Sequence, residues 1–158
     1  MKKLAFIYFL LLLSVVFQIQ LAGKTAWMPD IILLMIVFEG IFRAGKEAVI
    51  FAFIAGLIRG SLSFGTFPVD IFMFPVIGAL GFFEGRIFYR HNPIAQALIT
   101  AVAACLVMFV HTVYLTASDA DSIGPFIIFI HNWRTLAGTV AAAPIFFFLM
   151  SKLFRLEE

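Results

Sequence analysis

Residues 94–117 form a run of 24 amino acids without a formal charge. As an α-helix rising about 1.5 Å per residue, such a run is about 36 Å long and crosses the roughly 30 Å hydrocarbon layer of a bilayer. The rest of the chain cannot shield it from water, because 63% of the 158 residues are apolar and only 13% are charged. Soluble domains carry about half apolar and roughly a quarter charged residues, and small ones bury the smallest share of their surface. Lipid is therefore the expected solvent. The single cysteine, Cys105, excludes an internal disulfide framework and any Cys-based zinc site. A net charge of +2 with scattered Lys and Arg excludes a nucleic-acid footprint. The expectation is one polytopic membrane domain over residues 1–158 with no soluble module.

Five further apolar stretches are expected to be helical spans. The first covers about residues 4–22 after Met1-Lys2-Lys3. It is longer than a signal-peptide core, and Gln20-Leu21-Ala22 makes a poor cleavage site, so an uncleaved helix is expected. The second, about 27–42, contains Glu39 and admits Pro29 in its first turn. The third, about 46–62, contains Arg59, and the fourth, about 69–88, carries Pro75. After the fifth, 94–117, come Asp119, Asp121 and Gly124-Pro125, then an apolar piece too short to span. Residues 123–131 are accordingly expected to form a separate interfacial or re-entrant segment, with Trp133 and Arg134 at headgroup level. The sixth span is about 135–151, with Pro144 inside it.

The basic residues give an independent test of this layout, since Lys and Arg collect in cytoplasmic loops. With six spans and a cytoplasmic N-terminus, Lys2, Lys3, Arg43, Lys46, Arg86, Arg90, Lys152 and Arg155 lie inside, and Lys24, Arg59 and Arg134 outside. Both termini are thus expected in the cytoplasm.

Helices in lipid associate through small residues that allow close backbone approach. Ala44, Ala48, Ala52, Gly56 and Gly60 recur every fourth position and so share one helix face. Weaker stripes are Gly78, Gly81 and Gly85, and Ala137, Gly138, Ala141 and Ala142. Two uses are open for the first stripe: packing within the bundle, or docking of another membrane protein. In the docking use, the candidate partner-binding residues are Ala48, Ala52, Gly56 and Gly60, together with Trp133 and Arg134 on the outer side.

Ionisable groups within membrane segments are costly and count as functional candidates. Glu39 precedes Arg43 by four residues, the spacing of a helical ion pair. Arg59 and Asp70 flank one loop and are expected to pair at its rim. Glu84 and Arg86 share an inner helix end, and His111 stands alone within the fifth span. Asp119, Asp121 and His131 are irregularly spaced for a metal site. The series Gly78, Gly81, Gly85 is neither a P-loop nor a dinucleotide fingerprint. No nucleophile with its base and no catalytic carboxylate pair emerges, so neither an enzyme nor a cofactor is expected.

Met28-Pro29-Asp30-Ile31 opens the second span. Gly56-Leu57-Ile58-Arg59-Gly60 ends the third, the turn Ser63-Phe64-Gly65-Thr66-Phe67-Pro68 follows, and a Gly-rich helix runs from Pro75 to Gly85. This stretch resembles the rod shape-determining protein MreD family. The family commonly carries an acidic residue at the end of the third span, where this chain has Arg59. The resemblance implies an all-α integral membrane protein, a compact bundle of six transmembrane helices similar to the substrate-binding subunits of energy-coupling-factor transporters. It also implies a bacterial inner-membrane component of the cell elongation machinery. Its partners would be the single-span protein MreC, with links to MreB and the wall synthase pair, in a surround of membrane lipid. The rival function is a substrate-binding subunit of an energy-coupling-factor vitamin transporter, with His131, Asn132, Trp133 and Arg134 around an outward pocket.

Overall fold

The computed structural model describes residues 2–21, 27–43, 45–62, 67–87, 92–118 and 125–154. They form six helices: α1 (Lys2–Leu21), α2 (Ile31–Phe42), α3 (Gly45–Leu62), α4 (Phe67–Ile87), α5 (Pro93–Ser118) and α6 (Pro125–Phe154). α1 to α5 each coincide within a few residues with an expected apolar run, and α6 begins ten residues before the expected 135–151. α5 and the Asn132–Phe154 part of α6 are long and apolar enough to cross a membrane. Shorter apolar stretches occupy Phe6–Gln18, Ile31–Phe42 and Pro68–Phe83.

α2 is the axis of the bundle. Every residue from Ile32 to Ile41 is buried, and the helix touches all five others. A helix apolar on nearly all sides is set either in protein or in lipid, and an apolar run of 10–14 residues suits a core helix better than a lipid-facing span. The 12 residues of α2 fit that description. Residues 27–30, expected within the second span, lead into it as non-helical chain.

The outer helices divide their faces. On α1, Ile7, Leu11 and Val15 are buried four residues apart, while Phe9, Leu12, Leu13, Val16 and Phe17 are exposed. The same division puts Ile145, Phe148 and Leu149 of α6 outside and Ala143 and Phe147 inside. Apolar residues thus face outward as well as inward, a pattern that water would penalise.

Small residues set the closest helix contacts. A Cβ built on Gly40 of α2 would lie 3.0 Å from the carbonyl oxygen of Gly78 and 3.1 Å from Cα of Gly81, both on α4. One built on Gly78 would lie 3.0 Å from Cβ of Ala52 and 3.1 Å from the oxygen of Ala48, both on α3. α4 is therefore pressed against α2 and α3 together, and α3 and α4 form the most extensive helix pair. Gly138 of α6 sits against the backbone carbonyl of Trp27.

The arrangement bears on the two uses left open for the α3 stripe and on the segment expected at 123–131. The stripe on α3 faces inward: Ala48 and Ala52 are fully buried, Gly56 and Gly60 are buried, and α4 packs on Ala48, Ala52 and Gly56. A partner could reach that stripe only by displacing α4; Ala44 lies outside the described residues. The separate segment expected at 123–131 is, from Pro125 onward, the first part of α6, whose 30 residues run without a break. Continuing the helix gives that short apolar stretch intrahelical partners for backbone groups that an isolated piece would leave open. Asp119, Asp121 and residues 123–124 lie outside the described residues, as do the side chains of Glu84, Arg86 and His131.

Candidate functional site

At the end of the bundle where α2 begins, each helix contributes one polar side chain to a single network. Its centre is Asp30. The Asp30 carboxylate caps α2, with Oδ1 accepting from the backbone N–H of Leu33 at 3.0 Å. The same oxygen accepts from Nε2 of Gln18 on α1 at 3.1 Å. The backbone N–H of Asp30 donates to Oγ1 of Thr139 on α6 at 2.8 Å, and that hydroxyl donates to the carbonyl of Thr135 at 2.7 Å.

Arg59, in the last turn of α3, donates from Nη1 to Oδ2 of Asp30 at 2.5 Å. Its Nε lies 3.9 Å from Oδ2 of Asp70, in the first turn of α4, and its guanidinium stands 5.3 Å from the ring centre of Phe74. Oδ1 of Asp70 is 2.9 Å from Nε2 of His111 on α5. Asp70 is fully buried, and Asp30 and Thr139 nearly so. The chain of contacts therefore runs from α1 through the head of α2, then α3 and α4 to α5, with α6 held by Thr139.

A cavity of about 130 Å³ lies against this network. Asp30, Arg59, His111, Asn132, Thr135 and Thr139 supply its polar lining, and Ala104, Val107 and Leu136 are among its apolar lining. Among the described residues, no group of three His, Cys, Asp or Glu could hold a metal ion.

The structure rearranges what sequence spacing suggested. Arg59 and Asp70 do approach, but Arg59 bonds Asp30, and Asp70 is internal where a rim position was expected. His111, apparently isolated on its span, has Asp70 as its partner. Trp133 and Arg134 are exposed and outside the cavity lining, whereas Asn132 belongs to it. Trp133 packs edge to face on Trp27, with ring centres 5.2 Å apart. At the opposite end, Nε of Arg43 meets Glu39 at 2.8 Å, as their spacing predicts, and lies 4.0 Å from Glu47.

The model of the rod shape-determining protein MreD family matches residues 2–157. The chain belongs to the MreD family. No curated protein and no solved structure matches it. Membership makes it a membrane protein of the rod shape-determining group, in keeping with its apolar helices and outward-facing apolar side chains. In this MreD chain Asp30, which caps α2, and Arg59, in the last turn of α3, are joined in one ion pair.

Proposed function

We propose that this protein is a non-catalytic adaptor of the bacterial cell elongation machinery. It crosses the inner membrane six times with both termini in the cytoplasm, binds MreC, and so helps maintain rod shape and lateral peptidoglycan synthesis. The family match over residues 2–157 carries the proposal. Six helices tied by one polar network make a stiff body that can hold a partner in a fixed orientation. The excess of Lys and Arg on alternate connections supports the orientation. Because α4 covers the small-residue stripe of α3, the partner contacts are assigned to the exposed outer end, with Trp133 and Arg134 as the leading residues.

The test combines topology with capture. Reporter fusions at Glu158 and between residues 118 and 122 should report opposite compartments, and tagged protein extracted from native membranes should bring MreC with it. Recovery of a transport ATPase in place of MreC, or the same compartment for both reporters, contradicts the proposal.

A further inference from the structure

The cavity beside the network has unspent hydrogen-bonding capacity of two opposite kinds. An arginine carries five N–H donors; Arg59 spends one on Asp30, and its Nε is too far from Asp70, at 3.9 Å, for a hydrogen bond. A carboxylate offers about four acceptor sites. Asp30 uses those taken by Leu33, Gln18 and Arg59, which leaves room for one more donor. Both residues line the same cavity, which Asn132 also lines.

Charge narrows the occupant further. A simple anion drawn to Arg59 would face the carboxylate of Asp30, and a simple cation drawn to Asp30 would face Arg59. The cavity, about 130 Å³, has room for a small molecule beside the charged pair. The apolar wall of Ala104, Val107 and Leu136 suits a short hydrocarbon link.

We infer that the cavity binds a compact zwitterion, its oxyanion on Arg59 and its ammonium, a few bonds away, on Asp30. Two sources supply this chemistry: a free α-amino acid of the size of glycine or alanine, and the phosphoethanolamine headgroup of a membrane lipid. The inference goes beyond the adaptor role, which does not require a ligand.

The full chain in nanodiscs of phosphatidylglycerol alone, a lipid without an ammonium group, provides the test. Its thermal unfolding midpoint is followed during titration with glycine, phosphoethanolamine, acetate or methylammonium, since a ligand that binds the folded state raises the midpoint. A saturable rise with one or both zwitterions is expected, with half-saturation at least about tenfold higher for acetate and methylammonium, each lacking one charged contact. A response to phosphoethanolamine but not glycine identifies the lipid headgroup; the reverse identifies the amino acid.

Ala104→Leu, which fills the cavity, should abolish the response. Asn132→Leu, at an exposed position, should weaken it several-fold without disturbing the core. The inference is overturned if neither zwitterion gives a saturable rise, if acetate or methylammonium matches them, or if the response survives intact in either folded variant.

Discussion

Gly56 of α3 lies so close to the backbone of Asp70 on α4 that a Cβ at position 56 would sit 2.6 Å from the Asp70 carbonyl oxygen. The obstacle is backbone, which cannot rotate aside. In an ordinary helix interior, replacing Gly by Ala stabilises by about 1 kcal/mol. Here Gly56→Ala should have the opposite sign and destabilise by about 1–3 kcal/mol, the usual cost of overpacking. Thermal unfolding in detergent measures it; a raised midpoint would refute the contact. Ala52→Leu should behave likewise, because Ala52 is fully buried.

The Asp30–Arg59 pair permits a double-mutant cycle. Asp30→Asn preserves a good helix cap while removing the charge, and Arg59→Met removes the counter-charge. Arg59→Met leaves the Asp30 carboxylate without its counter-charge in a buried setting and should cost about 3–5 kcal/mol; Asp30→Asn should cost less, because Asp70 still stands 3.9 Å from Arg59. The double variant should cost clearly less than the sum, since neither charge is then stranded. Strict additivity in denaturant unfolding would show that the two groups are uncoupled.

His111→Phe removes the 2.9 Å bond to the fully buried Asp70 carboxylate. A loss of about 1–3 kcal/mol is expected for a buried acceptor deprived of one donor. His111→Gln, which restores an N–H donor, should recover part of it. Equal stability of the Phe variant and the parent chain would mean that the bond contributes nothing.

Trp133 and Arg134 are exposed. Arg134→Glu should change stability by no more than about 0.5 kcal/mol, as surface substitutions usually do, and Trp133→Ala should cost about 0.5–1.5 kcal/mol through loss of the Trp27 contact, yet both should reduce recovery of MreC from native membranes. Undiminished recovery with both changes combined would remove the outer end from the proposed interface.

The positions of the helices are legible in the sequence because uncharged runs mark them, α5 most clearly. The role of α2 is not. A helix wrapped by protein and one wrapped by lipid are both apolar all round, and periodicity cannot separate them. The small residues on α3 show that something packs closely there but not whether it is α4 or another molecule.

The ion network was hidden for a different reason. Spacing along the chain suggested Asp70 for Arg59, because a short loop joins them, whereas the shorter contact is to Asp30, 29 residues earlier. Asp70 and His111 are 41 residues apart. One signal was present: Asp30, Arg59 and Asp70 all stand near helix termini at the same end of the expected bundle. Sequence could place them at one depth, but only the packing of α2 among its neighbours sets their distances.

Because the network takes one side chain from every helix, it remains incomplete until the last helix has been made. A nascent chain that has emerged only as far as α4 holds Asp30, Arg59 and Asp70 but has neither His111 nor Thr139. Such a half-built protein carries costly polar groups within a membrane without their full set of partners. Completion of the last helix is thus also the step at which these polar groups acquire their full set of partners.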